Sequence, residues 1–387
     1  MSVRTIALTL KPTTNQRAAL ERLQHQFNAA CNDISQVAWK QQEFNKVRLQ
    51  RLVYTQVRDR FGLMAQHTIR AIAVVADSYK ADKTCQHTFR LDAAVVLDTP
   101  RLYRVVHNRA DVTTLDGRLS IRLGIGGHQR QMLKDALKLA EADLLCDRKG
   151  RWRLMVSAHA ADPPIQNATT VLGVDLGRTD IAVTSDDKRF SGKDVTATRD
   201  HYTKVRRSIQ RQASKGTRST RRRARIIQRR ISGRERRFQR DINHIISKDI
   251  VAHASESGQG IACEDLTGIR ERTNTQPRSK RERRRSNSWA FHQLRFFLTY
   301  KCLAAGVPFV LVNPAYTSQF CHVCLHMGHR SGKRFCCLNP ACAWRGDADL
   351  NGARNIAHLG HTVMVPGGPP LCCLYQPGGR AATSPAL

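Results

Sequence analysis

The chain has 387 residues, in which 64 Lys and Arg face 31 Asp and Glu, leaving a formal net charge of +33. That excess is beyond what solubility needs and works against a compact state by self-repulsion, so it points to a polyanionic partner, nucleic acid first. Hydrophobic residues at 41% supply packed cores and exclude wholesale disorder, and at about 150 residues per domain the length suggests two or three domains. No window reaches the roughly 18 consecutive apolar residues of a membrane span. The opening MSVRTIALTLKPT alternates instead of forming the apolar block of a signal peptide. The expectation is a soluble cytoplasmic protein with no membrane partner. Five of the twelve cysteines fall between Cys321 and Cys342, and such clustering in a reducing compartment favours metal over disulfides.

Residues 4 to 10 read as a strand with Ile6, Leu8 and Leu10 on one face. After the capping candidates Thr13 and Thr14, Leu20, Leu23, Phe27, Ala30, Ile34 and Val37 recur at helical spacing, and Ile69, Ile72 and Val75 repeat it. Residues 11 to 82 are therefore predicted to be a helical bundle inserted after one strand. From 86 to 162 the signal turns to short strands: AAVVL at 93 to 97, LSIRL at 119 to 123, and a hairpin of DLLC and WRLMV turning through Lys149 and Gly150. With strand 4 to 10 these form an expected β-barrel interrupted by helices, and ADPPIQN at 161 to 167 marks a boundary.

VLGVDLG at 171 to 177 is an apolar strand ending in a carboxylate and a glycine, with IAVTS at 181 to 185 as its hairpin partner. Residues 201 to 240 hold sixteen Lys and Arg against the single acid Glu235, with Val205, Ile209, Ile226, Ile227, Ile231 and Phe238 as a thin apolar stripe. Self-compensating salt bridges cannot absorb that ratio, and the segment is predicted to be a basic helical arm that contacts phosphates, which position a nucleic acid without reading its sequence. RSKRERRR at 278 to 285 reads as a mobile basic loop. GQGIACEDL at 258 to 266 and VPFVLV at 307 to 312 read as buried strands, and residues 288 to 306 as a helix capped by Ser288 and stopped by Gly306. The Pro- and Gly-rich tail after 360 is expected to be disordered.

Asp175, Glu264 and Asp349 each stand at a strand or helix boundary. In a sheet of the RNase H type such places converge on one edge, where carboxylates can hold two divalent cations about 3.5–4 Å apart for phosphodiester hydrolysis. Magnesium suits an oxygen-only site that keeps waters and meets phosphate. Asp180, Asp265 and Asp347 are the rivals. CHVC at 321 to 324 and CCLNPAC at 336 to 342 can close a tetrahedral zinc site that supplies folding energy to a segment too small for its own core. Cys321, Cys324 and Cys342 are the expected ligands. Cys337 is preferred over Cys336, and His322, His326 and His329 are possible substitutes.

The pattern resembles the transposon-encoded TnpB family, compact relatives of type V CRISPR effectors. The resemblance rests on GVDLG with Asp175, CEDL with Glu264, residues 288 to 314, PAYTSQFCHVC at 314 to 324, and DADLNGARNIA with Asp349, and covers about 171 to 358. Asp349 rather than Asp347 takes the D-x-N position of the third RuvC carboxylate. The resemblance implies an α/β RNase H-like RuvC nuclease domain (166–317 and 346–360) with an inserted zinc ribbon (318–345). All-β and all-α parts would precede it: a wedge β-barrel (1–10 and 83–165) interrupted by a helical recognition lobe (11–82). It further implies RNA-guided cleavage of double-stranded DNA beside a short adjacent motif, with Mg2+, Zn2+ and a noncoding guide RNA as cofactors and one protein per RNA, in a bacterial or archaeal nucleoid. In guide systems pairing carries sequence while protein holds backbone and shape. An RNA-guided repressor that does not cut, and a transposase or resolvase that needs no RNA, are the competing readings. The second knuckle is C-x4-C where the family usually has C-x2-C, and Leu325 replaces a frequent glycine.

Overall fold

A computed structural model describes residues 2–267, 279 and 291–364. The chain divides into two compact units, residues 1–161 and 162–387. None of the described helices is long and apolar enough to cross a membrane.

The first unit is a seven-stranded antiparallel sheet, nearly closed into a barrel, packed with three helices. Strand β1 (Ser2–Lys11) is followed by α1 (Thr14–Gln41), α2 (Lys46–Phe61) and α3 (Ala65–Ala81). The remaining strands are β2 (Val95–Leu97), β3 (Tyr103–Val106), β4 (Arg109–Thr114), β5 (Gly117–Gly124), β6 (Ala136–Cys146) and β7 (Trp152–Ala160), with the short helix α4 (Gly127–Lys134) between β5 and β6. The sheet order is β2-β6-β7-β1-β5-β4-β3. The alternation read in β1 is realised: Ile6, Leu8 and Leu10 are buried with Leu20, Leu23 and Phe27 of α1 and Trp152, Leu154 and Val156 of β7 in one core. Thr13 caps α1 in a reciprocal box with Gln16. The β6–β7 hairpin turns through Asp147, whose carboxylate accepts from the Lys149 and Arg151 amides, and Gly150 takes a positive φ. Sequence reading missed α4, β3 and β4, which are short and half polar.

The second unit is a three-layer α/β structure. Its sheet runs β10-β9-β8-β11-β12, made of β8 (Thr170–Asp175), β9 (Asp180–Thr184), β10 (Arg189–Ser191), β11 (Gln259–Glu264) and β12 (Phe309–Val312). β8, β11 and β12 are parallel, while β9 returns antiparallel from β8 as the expected hairpin. On one face Leu172, Val174, Ile261 and Cys263 meet α7 (Arg234–Glu256) through Ile246 and Ile250, and α8 (Phe291–Ala305) through Leu294 and Leu298. On the other face Val171 and Ala262 meet Ile356 of α9 (Ala348–Met364). Burial on both faces is why β8 and β11 read as unbroken apolar runs. β12 corrects its reading as a buried strand: it lies at the sheet edge, and Leu311 is 40% exposed.

The basic arm is helical as expected and runs through parts of three helices. α5 (Lys193–Lys215) stops at Gly216, α6 (Arg218–Ile231) starts on the Thr217 cap, and Gly233, at φ +74°, precedes α7. Ile209 is buried, whereas Ile226 of the supposed apolar stripe is 44% exposed. α9 continues to Met364, so residues 361–364 correct the expected start of a disordered tail; the remainder of the tail lies outside the described residues. The loop at 278–285, Ser279 excepted, and Ser288 with the first residues of the helix read at 288–306 also lie outside them.

A third, three-stranded sheet, β13 (Gly328–Ser331), β14 (Arg334–Cys337) and β15 (Arg345–Asp347), leads directly into α9.

Candidate metal and nuclease site

The parallel strands deliver two acids to one sheet edge, since Asp175 is the last residue of β8 and Glu264 the last of β11. Asp349 sits in the first turn of α9, which crosses the same strands. Close helix–strand contact makes this possible. A Cβ built on Gly173 would lie 2.0 Å from the Ala353 carbonyl oxygen, and one on Gly352 would lie 3.4 Å from Asp175 Oδ2. Glu264 and Asp349 are 7% and 9% exposed.

Burial, then the charges of Glu264 and Asp349, raise the Asp175 carboxyl well above the usual carboxylate range, with the Arg330 guanidinium opposing. Burial also raises Glu264, against a hydrogen bond from Thr317 and the charge of Arg330. Thr317 Oγ1 lies 2.5 Å from Glu264 Oε1 and 3.1 Å from the Pro314 carbonyl oxygen. Arg330 Nη2, from β13, stands 2.7 Å from Asp349 Oδ1, and Lys333 Nζ lies 4.0 Å from Asp349 Oδ2. The sequence reading missed Arg330, Lys333 and Thr317 as members of this corner. Thr317 stood inside a quoted motif, and the two cations inside GHRSGKR, but only the tertiary fold shows what they face.

The rival acids have other employment. Asp347 Oδ1 accepts from the Asp349 and Leu350 amides at 2.9 and 3.0 Å, capping α9, and its Oδ2 is paired with Arg189 at 2.8 Å. Asp265 accepts from the Thr267 amide and pairs with Arg295 at 2.6 Å. Asp180 is ion-paired with Lys333.

The second cluster is the thiols of Cys321, Cys324, Cys337 and Cys342, whose sulfurs all lie within 4.8 Å of one another. Cys324 Sγ is 3.4 Å from Cys337 Sγ, and Cys321 Sγ is 3.8 Å from Cys342 Sγ. A tetrahedral site with Zn–S of about 2.3 Å has S–S edges of about 3.8 Å, so the donors fit zinc. Alternation along β14 separates the two candidate cysteines: Cys337 shares the face of Phe335, which is fully buried under the cluster, and Cys336 points to the other. Burial works against ionisation at Cys324, but hydrogen bonds from the His326 backbone and the Cys337, Cys342 and Cys321 thiols bring it down to about 6. Leu325, at φ +59°, adopts the left-handed conformation that explains why glycine suits this position. His322 is no ligand here: its Nδ1 meets Asn351 Oδ1 at 3.0 Å and its Nε2 meets Arg354 Nη1 at 2.9 Å. Asn351 and Asn355 donate to the Phe320 carbonyl, at 2.6 and 2.7 Å, fastening the cysteine segment to α9. Among the described residues the thiols are the only such donor group within 4.8 Å; the three acids are less tightly gathered.

Residues 291–356 match the Cas12f1-like TNB domain family. A TnpB-like protein of Methanocaldococcus jannaschii is 44% identical over 93 residues, covering 24% of this chain and 33% of that protein. The putative RNA-guided DNA endonuclease InsQ of Escherichia coli K12 is 30% identical over 235 residues, 56% of each chain. The chain is related to the TnpB family. The CRISPR-associated endodeoxyribonuclease Cas12f1 of Sulfoacidibacillus thermotolerans is 30% identical over 228 residues, 54% of this chain and 51% of that one. The matched stretches thus span a third to just over half of these relatives. The fold resembles the protein in the cryo-EM structure of a Cas12f1–sgRNA–target DNA complex, with a TM-score of 0.55 at 14% identity over 88% of this chain and 83% of that chain.

Proposed function

We propose that this protein is an RNA-guided DNA endonuclease of the RuvC type, with Asp175, Glu264 and Asp349 as its magnesium ligands. The observation that carries the reading is the convergence of half-buried Asp175 of β8 with buried Glu264 of β11 and buried Asp349 of α9 on one corner, while Asp347, Asp265 and Asp180 are taken up by caps and ion pairs. Repelling carboxylates buried together gain nothing for the free fold and suit a divalent cation. When bound, magnesium supplies an electrophile for the phosphate oxygens and lowers the pKa of the attacking water. The chain's own groups do the rest. Thr317 orients Glu264, the Asp347 cap fixes the turn that carries Asp349, and Arg330 offers a guanidinium fork to a phosphate brought to the same corner.

In this reading residues 166–317 and 346–364 form the RNase H-like nuclease domain, the last helix running to Met364, and 318–345 a structural zinc ribbon held by Cys321, Cys324, Cys337 and Cys342. Residues 1–10 and 83–165 form a wedge barrel and 11–82 a recognition lobe for guide RNA and target. The relatives' names support the guide RNA and DNA partners. The test is to purify the ribonucleoprotein, sequence its RNA, and challenge it with matched double-stranded DNA bearing a randomised flank, in magnesium and in EDTA. Cutting that requires RNA, match and metal is expected; cutting that needs neither RNA nor metal refutes the reading.

A further inference from the structure

On α8 the buried face, Phe291, Leu294, Leu298 and Cys302, packs on the sheet. The opposite face presents His292, Phe296, Tyr300 and Leu303, four residues that line one side of the helix over about 16 Å. Phe296 is 63% exposed and Tyr300 38%. Their ring centroids are 5.7 Å apart and their planes 54° from parallel, so they do not cover each other's faces. Behind them Phe297 stacks on His244 of α7 at 3.8 Å and 16°, which fixes the base of the cluster.

The surroundings are cationic. Arg240 and Lys248 on α7 and Lys301 on α8 have no ion pair among the described residues, since Lys301 spends its donors on the His244 carbonyl and Ser247 Oγ, at 2.6 Å each. Burial and then the charge of Lys248 lower the Lys301 amine; burial and then Lys301 and Arg240 lower His244, with Asp241 the acid that opposes them. Arg240 Nε lies 3.4 Å from His244 Nε2 and the Tyr300 hydroxyl 3.5 Å from His244 Nδ1, so His244 links the cations to the exposed Tyr300 ring. Exposed rings set among cations suit a ligand with flat apolar faces and a negative backbone, which is single-stranded nucleic acid.

We propose that Phe296 and Tyr300, framed by Arg240, Lys248 and Lys301, form a stacking platform for unpaired nucleobases, separate from the acid corner. A duplex hides its base faces, so the platform discriminates single strand from duplex, which charge alone does not. This goes beyond the nuclease reading and does not depend on cleavage.

The test uses the full chain and a fluorescent oligothymidylate, with a duplex of equal length as the comparison. Phe296→Ala/Tyr300→Ala is expected to weaken single-strand binding about tenfold or more while duplex affinity changes less than about twofold. Phe296→Tyr/Tyr300→Phe, which keeps both rings, should bind like the parent, and crosslinks from 5-iodouracil should map to Phe296 or Tyr300. A melting curve controls for folding; if the double variant does not fold, Phe296→Ala alone, on the more exposed ring, is read the same way. Unchanged single-strand binding, or equal loss for strand and duplex, overturns the proposal. So does a variant that abolishes self-association in sedimentation without touching oligonucleotide affinity, because the face is then an interface between copies. Oligonucleotide affinity and plasmid cleavage are read separately on the same variants, so failure of the nuclease reading and failure of the platform are told apart.

Discussion

The thiol cluster and the acid corner lie next to each other in the second unit and are built on opposite principles. The four sulfurs are close enough to share one cation, with only Phe335 and Ala348 as a buried core beneath them. The acids stand at the ends of two well-packed strands and in the first turn of α9, less tightly gathered than the thiols, and Asp349 is already paired with Arg330. Where the local core is small, a bound cation can supply the folding energy; where the core is large, the fold can hold groups that repel one another and keep them for chemistry.

That contrast predicts different failures. Asp175→Asn should lower cleavage by about a thousandfold or more while the melting temperature holds or rises, because a repelling charge is removed; plasmid cleavage beside calorimetry checks both. Cys324→Ser should do the reverse at the other cluster: the parent carries about one equivalent of zinc, and the variant loses it together with the order of residues 318–345, read by metal analysis and limited proteolysis.

His67 supplies a control from the first unit, a buried titratable group that serves neither site. Neither ring nitrogen closes a hydrogen bond, and burial lowers its pKa from 6.5 to about 4. Between those values the unfolded chain takes up a proton that the folded chain refuses. Its contribution is therefore intact above pH 6.5 and falls by about 3 kcal/mol as the pH drops toward 4. His67→Leu should flatten that dependence in denaturant melts, separating burial as such from burial that serves a site.

Two smaller effects sharpen the comparison. Thr317→Val keeps shape but removes the hydroxyl on Glu264, and is expected to cost about 1–2 kcal/mol in denaturant titrations and about tenfold in cleavage rate. Arg225→Gln, on an exposed position of α6, should reduce the slope of log K against log salt for duplex DNA by about 0.9 without altering which sequence is bound.

Much of this was legible because it is periodic or chemically narrow. The alternation of Ile6, Leu8 and Leu10, the apolar runs ending at Asp175 and Glu264, and the paired cysteines each leave a local signature. Arg330 left none: an arginine in a basic hairpin looks like any other until the turn into α9 brings Asp349 opposite it. The breaks at Gly216 and Gly233 were hidden by a charge run that looks uniform in composition, and the half-exposed state of β12 depends on which strand ends the sheet, a property of topology and not of the segment.

The seat of α9 on β8 has one more consequence. At Gly173 and Gly360 the helix and the sheet approach so closely that a methyl group on either would collide, with the Ala353 carbonyl at 2.0 Å and the Ala262 Cβ at 2.4 Å. The spacing between Asp175 and Asp349 is thus set by side chains that are missing. An alanine at Gly173 would push the whole helix outward and shift one acid of the trio relative to the others, so the tolerance of the acid corner is written at positions that touch neither substrate nor cation.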